Sequence, residues 1–525
     1  MMEPWPGFCG TSYATEASAF SIERTVNWYQ ESGEVPGLAK GPGPVLLPRP
    51  GLAAFGANPA TAAMRARGKI VANNPSNNLT QIGYGVSGTS FYAISVNGTQ
   101  TVLGTVVDDG LPVTMAAGKP TTNFNNGQIA IASGGELYVY SGGVLTQIPI
   151  NLNGSFFGAD YVTWLDGYFI VLQRTLSQFQ ISALDDATTW SALDVSGTLG
   201  QADRIQAIIA DKEYLYLVGA RRAEIWYNAG TGTGTTFPFT IEPGAFIEDG
   251  IGANASLCQS NNSIYWLDQS ARGGVSAVRA EGLITRRVST HALEVAWANQ
   301  NPDKGKVFAT VADCITFSYI WKGHTMIRWI FPTADASYDY DSTESDLKGY
   351  PVWTDVTFTD SLGATHACLE RDHCYAFGLH IVGSGGADGT PGVLYTYDDS
   401  TYYDAPNSGA GFLGFPIVRD RIVRLPWNNG LRQFLDGIEL IAQNGTGLDY
   451  GQGSAPVFLL RISRDGGKTW GTEYQIPMGA GGKYFTRLRQ LALGSYRDGA
   501  VWLRCSDPVF AALVGALHAI RPGGS

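Results

Sequence analysis

Two short stretches of the sequence carry side chains that could do chemistry. The first, residues 463–470, reads SRDGGKTW and matches the Asp-box pattern Ser/Thr-x-Asp-x-Gly-x-Thr-Trp. Asp465 can accept hydrogen bonds from turn amides, and the glycines at 466 and 467 tolerate positive φ. The pattern therefore predicts a structural hairpin with a tryptophan packed under it. Its members are Ser463, Asp465, Gly467, Thr469 and Trp470.

The functional alternative for this motif is a glycosidase. Sialidases carry several Asp boxes together with an arginine triad and a Tyr/Glu pair, whereas this sequence has one box and no triad that can be assigned. A sialidase-like glycan hydrolase, or a glycan-binding propeller without catalysis, is therefore the second hypothesis for function. The sequence assigns no catalytic residue and no cofactor-binding residue, and the first hypothesis is a protein that is not an enzyme.

The second stretch, HACLERDHC, places His366, Cys368, His373 and Cys374 within nine residues. Four such ligands suggest zinc, but structural zinc sites use two separated pairs of ligands. Neighbouring residues of a strand point to opposite faces, which separates His373 from Cys374. We expect a strand–turn–strand with ordinary buried side chains and no metal, although the sequence alone leaves metal binding by this cluster open.

Charged residues also cluster. Acidic residues form two groups that could bind cations, and arginines form rows along predicted strands. Carboxylates in YDYDSTESD could bind a hard cation such as calcium, but they lack the spacing of a calcium loop and favour a solvated acidic loop. Arginines that alternate along strands could face DNA or an acidic partner, and salt-bridged strand faces are the favoured alternative. The acidic residues are Asp339, Asp341, Glu344, Asp346, Asp398, Asp399 and Asp404, and the basic ones are Arg419, Arg421, Arg424, Arg461, Arg464, Arg487 and Arg489.

Composition limits the class of protein. The chain has 525 residues, 66 glycines and 25 prolines, which indicates a large β-rich protein with many tight turns. Its net charge of −11 argues against binding nucleic acid through phosphates. The six cysteines form no CxxC pair, so folding in a reducing, cytoplasmic compartment is the simpler interpretation.

No segment of the sequence predicts membrane insertion or export. The N-terminus, MMEPWPGFCG, has neither a basic region nor an apolar region of a signal peptide. The longest apolar run, residues 509–520, is shorter than the ~20 residues that span a bilayer.

The chain divides into three predicted regions that must position these residues. Residues 1–60 are an N-terminal arm that packs on the last region, with a strand at 21–30. Residues 61–425 contain short strands in a weak repeat, which predicts an all-β fold with a β-propeller. Residues 426–525 have longer strands and predict an antiparallel β-sandwich, the platform. A helix is predicted at 289–298, a further candidate helix lies at 201–210, and the irregular stretch 331–350 is a candidate gate.

A set of phrases between residues 161 and 294 resembles the packaged-DNA-stabilisation family of short-tailed bacteriophages, the tail hub or nozzle proteins. They include EIWYN (224–228), FPF (237–239), PGAF (243–246), GIGA (250–253), SIYWL (263–267) and RVSTHALE (287–294). Upstream, ISALD (181–185) and residues 23–29 and 47–52 continue the resemblance, as do Pro416-Ile417 and Arg419. The His/Cys-rich piece at 366–374 is not among these phrases.

The resemblance implies a structural virion protein made in the bacterial host cytoplasm. Members form a tail nozzle ring, six copies in well-studied relatives, below the portal and its adaptor. Such a ring extends the DNA channel, retains packaged DNA and guides its ejection without sequence-specific binding. It also offers docking surfaces to tail fibres or tailspikes and to a plug or needle. An acidic lumen that repels DNA would keep it mobile.

Overall fold

The computed structural model describes residues 2–17, 20–33, 43–56, 64–73, 81–124, 127–151, 154–197, 203–230, 237–269, 273–298, 306–386, 392–405 and 414–523. Within these residues the helices are His291–Trp297 (α1), Ser342–Lys348 (α2) and one 3-10 turn, Asn254–Ser256. The rest of the regular structure is strand, so the all-β prediction is confirmed.

The described residues contain six four-stranded antiparallel sheets, and a seventh antiparallel set of four strands forms one end of a ten-stranded sheet; these are here called blades 1 to 7. Blade 1 consists of Ala66–Asn73, Gln81–Ser87, Ser90–Ile94 and Gln100–Thr105, and blade 2 of Thr114–Ala117, Ile129–Ser133, Glu136–Ser141 and Val144–Ile148. Blade 3 consists of Tyr161–Leu165, Tyr168–Gln173, Gln178–Ala183 and Asp186–Gly197, and blade 4 of Ile205–Asp211, Tyr214–Gly219, Ala223–Asn228 and Phe239–Ile247. Blade 5 consists of Cys258–Ser260, Ser263–Gln269, Val275–Glu281 and Ile284–Arg287, and blade 6 of Ile315–Trp321, His324–Phe331, Ala336–Asp341 and Val352–Asp355. Blade 7 consists of Glu370–Ala376, Leu379–Ser384, Leu394–Asp398 and Gly51–Ala54.

Hairpin turns in the blades follow from residues that accept positive φ. In blade 3, Asp166 (φ 52°) and Gly167 (φ 90°) join the first two strands. Two positive φ angles in a two-residue loop match the twist of the flanking strands, and Asp-Gly is a preferred pair for such a turn. Apolar side chains on both faces of the middle strands pack against the neighbouring blades.

The seven blades close into a β-propeller, as the sequence predicts. Their first strands lie side by side around a ring, and side chains bond from one to the next. Thr114 Oγ1 accepts a hydrogen bond from Val162 N at 2.9 Å, and Gln259 Nε2 donates to Asp211 Oδ1 at 2.6 Å. The ring is completed where Glu370–Ala376 of blade 7 packs beside Ala66–Asn73 of blade 1.

The last blade takes its outer strand from the start of the chain. Gly51–Ala54 pairs antiparallel with Leu394–Asp398, although more than 300 residues separate the two strands. Leu52 of this strand is fully buried. A strand that precedes blade 1 thus holds the propeller closed.

Beside the propeller, two further sheets pack face to face as a sandwich. One consists of Glu3–Pro4, Trp28–Glu31, Val45–Pro48, Gln433–Ala442, Leu488–Tyr496 and Leu513–Pro522. The other consists of Tyr13–Ala14, Ile22–Val26, Arg419–Arg424, Val457–Ser463, Tyr474–Pro477 and Ala500–Cys505. Buried Trp28, Ile438, Phe458 and Leu503 lie in the core between them. Two short ladders, Thr357–Thr359 with Thr365–Ala367 and Tyr403–Asp404 with Phe415–Pro416, complete the strands.

The sandwich and the propeller share one continuous ten-stranded sheet. Val26 of the sandwich pairs in parallel with Asp355, at the outer edge of blade 6. Beside it, Arg24 forms an ion pair with Asp355 at 3.3 Å. Because backbone pairing crosses the junction, we expect the two units to hold a fixed orientation.

The structure corrects several predictions of single elements. The predicted helix at 201–210 is wrong where described, because Ile205–Asp211 is the first strand of blade 4. The stretch 331–350 is not an irregular gate, since it contains the third strand of blade 6 and α2. The predicted strand at 21–30 is two strands, because Asn27 (φ 58°) turns the chain from one sandwich sheet to the other. The helix at 289–298 is confirmed as α1.

The predicted region boundaries at residues 60 and 425 stay a prediction. Gly51–Ala54 pairs inside the propeller, and Arg419–Arg424 pairs inside the sandwich, so strand pairing crosses both boundaries.

Candidate functional sites

The predicted Asp box forms a closed hydrogen-bonded turn. Asp465 Oδ1 accepts from Ser463 Oγ at 2.7 Å and from the amide of Thr469 at 2.9 Å, and Asp465 Oδ2 accepts from Thr469 Oγ1 at 2.6 Å. Ser463 Oγ in turn accepts from the amide of Gly467 at 2.8 Å. Trp470 packs edge-on against Trp502, with ring centroids 5.4 Å apart. The structure thus brings all five predicted residues together in one turn.

The electrostatics of Asp465 fit a structural role in this turn. The hydrogen bonds from Thr469 and Ser463 hold the pKa of the Asp465 carboxyl well below its usual range. A carboxylate that stays charged and is occupied by its own turn is poorly suited to general acid catalysis, which needs a pKa near the working pH.

The four residues of HACLERDHC are dispersed. His366 contacts the carboxylates of Asp335 at 2.9 Å and Asp360 at 3.5 Å, whereas His373 Nε2 lies 3.0 Å from Nδ1 of His380. Cys368 lies in one hydrophobic cluster, and Cys374 lies in another. Among the described residues, no group of three or more His, Cys, Asp or Glu could hold a metal ion.

The protonation states of these side chains also argue against a zinc site. Burial raises the pKa of the Cys368 and Cys374 thiols to about 12. Burial and the neighbouring His380 lower the pKa of His373 to about 3. Zinc binds thiolates, and these thiols are held protonated. All six cysteines are buried free thiols.

The acidic cluster at 339–346 is not a solvated loop. Asp339 forms a bidentate pair with the buried Arg328 at 2.7–2.8 Å, and Asp341 contacts His324 at 2.8 Å. Asp346 pairs with Arg279 of blade 5 at 2.9 Å. The carboxylates therefore point to different partners and do not converge on a cation. The second cluster is also divided, because Asp404 pairs with the buried Arg49 at 2.6 Å while Asp398 accepts bonds within its own turn.

The arginine rows do not form an exposed basic stripe. Arg419 and Arg421 are fully buried, and Arg421 donates to the carbonyl of Phe8 at 2.6 Å and pairs with Glu23. Three others have acidic partners on neighbouring strands or turns: Arg424 with Asp498, Arg461 with Glu473 and Arg487 with Glu439. Arg464 donates to the carbonyl of Leu493 at 3.4 Å. The rows thus serve the sandwich itself.

A large cleft, here called the seam cleft, lies where the propeller meets the sandwich. Its main part has a volume of about 840 Å³ and is bordered by α1, blade 6, the strand Ile22–Val26 and the Asp-box turn. A second part of about 430 Å³ continues toward Thr357–Thr359 and Trp502. Both parts are lined by Arg24, Lys306, Ile422 and Trp470, so they join at these residues.

Both ends of the sequence and its middle contribute to the seam cleft. Ion pairs fix its polar wall: Arg504 binds Asp420 through two bonds of 2.8 Å, and Lys306 contacts Asp335 at 3.3 Å. Its apolar wall is formed by Ala292 and Leu293 of α1 together with other side chains. Sequence reasoning found Trp470 but missed Arg24, Tyr338, Asp355 and Asp420. No local signal marks them, since Arg24 and Asp355 are 331 residues apart.

Several of the phrases that carry the family resemblance lie in blade strands. Residues 224–228 belong to the third strand of blade 4, and Ser263–Gln269 is the second strand of blade 5. Trp266 in this strand donates its indole N–H to the carbonyl of Gly250 at 2.9 Å, which ties two of the phrases together. These residues support packing between blades, and none of them forms a reactive group.

No α-helix within the described ranges has the length and hydropathy needed to cross a membrane.

Comparison with solved structures gives only remote similarities. A chain of a humanized mutant of the Chaetomium thermophilum Polycomb Repressive Complex 2 is 9% identical with a TM-score of 0.38, over 73% of this chain and 98% of that chain. An exo-beta-1,3-galactanase from Phanerochaete chrysosporium is 12% identical with a TM-score of 0.28, over 89% of this chain and 100% of that chain. Both TM-scores are below 0.5, so neither similarity supports a conclusion. No curated protein matches the chain.

One family model does match, and it covers most of the chain. It is described as bacteriophage P22 Gp10, β-propeller, and it spans residues 42–398. That range begins before the closing strand Gly51–Ala54 and ends with the last strand of blade 7, so it coincides with the propeller. The chain therefore belongs to the P22 Gp10 β-propeller family of phage packaged-DNA-stabilisation proteins.

Proposed function

We propose that this protein is a virion component of the phage tail, which forms a nozzle ring below the portal and its adaptor. The ring extends the DNA channel, retains packaged DNA and guides its ejection, and it does so without catalysis. The single observation that carries the proposal is the family match over the whole propeller. Six copies, contacts with tail fibres or tailspikes and a plug or needle below the ring are parts of the same proposal.

The architecture supports a load-bearing role. The propeller is closed by a strand from outside its own repeat, and a continuous sheet joins it to the sandwich. A part that resists the pressure of packaged DNA needs such rigid connections more than it needs a reactive site. The net charge of −11 supports passage of DNA without adhesion, because like charges repel.

The proposal is tested with purified protein and DNA-filled phage heads that carry portal and adaptor but lack this chain. We expect electron microscopy to show rings of this protein docked on the adaptor. We also expect DNA leakage, measured as nuclease-sensitive DNA, to fall when the protein is added. Protein that stays monomeric and never docks would contradict the nozzle proposal.

An enzyme assay distinguishes the nozzle proposal from the alternative, a sialidase-like glycan hydrolase. The Asp-box residues are occupied by their own turn, so we expect no hydrolysis of a fluorogenic sialoside above the background of an Asp465→Ala variant. Turnover by the wild-type protein that this variant loses would favour the glycosidase.

A further inference from the structure

The seam cleft presents polar groups that make no hydrogen bond to another described residue. Tyr338 is only 8% exposed and borders the cleft, yet its hydroxyl makes no hydrogen bond to another described residue. The indole N–H of Trp470, at the junction of the two parts, likewise has no acceptor within the described chain. Neither atom is among the buried polar atoms that lack a partner, so both are accessible to a ligand that enters the cleft.

The formal charges in the cleft cancel. Arg24 pairs with Asp355 at 3.3 Å, and Arg504 pairs with Asp420 at 2.8 Å. Lys306 is neutralised by Asp335, while Glu16 and Lys468 add one charge of each sign. Fixed ion pairs still offer oxygen acceptors and N–H donors to a ligand. The cleft is therefore rich in hydrogen-bonding groups but carries no strong net charge, so it does not favour a charged ligand of either sign.

Aromatic and aliphatic side chains supply flat apolar surfaces next to these groups. Trp470 lines both parts of the cleft and Phe308 lies in the main part, whereas the ring of Trp502 in the second part already carries the guanidinium groups of Arg461 and Arg504. Thr359 and Thr365 add hydroxyl groups at the second part. Ligand sites typically combine such apolar walls with a few well-placed polar groups, and volumes of about 300–1,000 Å³ are usual for them.

We propose that the seam cleft binds a neutral oligosaccharide. A sugar ring has apolar C–H faces that pack on aromatic rings, and its hydroxyls both donate and accept hydrogen bonds, which matches the unpaired Tyr338 and Trp470 and the fixed ion pairs. Two joined parts favour a chain of sugars over a single ring. The inference is independent of the proposed tail function, because it rests on the cleft alone.

An extended peptide fits the cleft less well. A peptide strand gains most of its affinity by pairing with a free strand edge. Arg419–Arg424, which contributes Ile422, is paired on both sides, and so is Ala500–Cys505, which contributes Trp502 and Arg504. These strands offer side chains to a ligand but no backbone edge.

The test measures binding to the full-length protein by calorimetry and by saturation-transfer NMR. The probes are maltotriose, cellotriose and chitotriose as neutral sugars, with sialyllactose and a model decapeptide as competitors of other chemistry. We expect at least one neutral trisaccharide to bind with a Kd below about 1 mM. Trp470→Ala should weaken this binding about tenfold or more, and Tyr338→Phe, which removes only the hydroxyl, about fivefold.

Trp427→Ala is the matched control, because Trp427 is exposed and does not line the cleft. It should leave the affinity unchanged, and thermal unfolding should show that all three variants are folded. The proposal is overturned if no neutral trisaccharide binds, if only sialyllactose or the peptide binds, or if Trp470→Ala and Tyr338→Phe, when folded, bind as tightly as wild type. Rings that dock on phage heads without any sugar binding would overturn this inference alone.

Discussion

The ammonium group of Lys69, in the first strand of blade 1, contacts the carboxylate of Asp372, in the first strand of blade 7. This pair joins the first blade to the last, and the side chain of Lys69 is completely buried. Asp372 Oδ1 also accepts a hydrogen bond from the amide of Gly383 at 2.9 Å, which fixes the carboxylate. Removal of the lysine would leave a buried carboxylate without its counter-charge.

We therefore predict that Lys69→Met lowers the free energy of unfolding of the propeller by about 3–5 kcal/mol. Arg487→Met provides the matched control, because Arg487 and Glu439 form an ion pair whose arginine is exposed, and such a pair should contribute little to stability. Urea unfolding, followed by tryptophan fluorescence, compares the two variants. Equal losses in both would show that the buried pair has no special weight in closing the ring.

The closing strand makes a second prediction. Leu52 is fully buried among side chains of blades 6 and 7, so Leu52→Ala should cost about 2–5 kcal/mol. Hydrogen exchange should show faster exchange in Leu394–Asp398, its partner strand. Leu283→Ala, at an exposed position in blade 5, serves as the comparison and should leave both observables unchanged. Unaltered exchange in blade 7 of Leu52→Ala would mean that the blade is stable without this contact.

His324 gives a prediction for pH. Its ring lies between Asp341 at 2.8 Å and Glu31 at 2.9 Å, against the ring of Tyr29. Burial disfavours the charged ring, but the bonds to the two carboxylates outweigh burial and raise the pKa of His324 from 6.5 to about 9. A pKa raised on folding stabilises the folded state fully below pH 6.5, and the stabilisation is lost as pH rises through about 9.

The melting temperatures of wild type and His324→Gln should therefore differ most at pH 6 and converge toward pH 10. The measurement is a series of thermal melts at constant ionic strength. His366→Gln is a suitable control, since His366 also contacts carboxylates but is partly exposed. A wild-type advantage over His324→Gln that stays constant across this range would exclude a protonated His324 as its source.

For the Asp box we predict a local effect. Asp465→Ala removes the acceptor for four hydrogen bonds of its turn, at a cost of about 1–3 kcal/mol. Limited digestion with trypsin should then cut faster after Arg464 and Lys468, while the melting temperature of the propeller stays the same. Asp436→Ala, at an exposed ion pair with Arg521 in the same sandwich, should not change the digestion rate at these sites.

The fold was predictable from sequence where its causes are local. Alternating apolar residues mark the blade strands, and pairs such as Asp166-Gly167 mark their turns. The segment 201–210 misleads because its isoleucines fit a helical period, yet Ile205 and Ile208 pack in the core between blades 3 and 4. Only the tertiary environment decides between the two structures.

The seam cleft and the strand pairing that closes the propeller were not predictable from the sequence, because their residues are far apart along the chain. In the sequence, Asp355 is an isolated acidic residue two positions after a tryptophan. Only the parallel bridge to Val26 places it beside Arg24. The Asp box was recognisable since four of its five residues hydrogen-bond to one another within seven positions, and Trp470 follows directly.

The strand Gly51–Ala54 also sets an order of events during synthesis. It leaves the ribosome before any residue of blade 1, but its partner Leu394–Asp398 is made more than 300 residues later. Blades 1 to 6 contain their own strands and can form in sequence, whereas blade 7 must wait for a segment that has been held unpaired since the beginning. Because such non-local pairing is slow, the late step of folding is the capture of this early segment. A chain released before residue 398 has no partner for it, and we expect such truncated products to be recognised by proteases as unfinished.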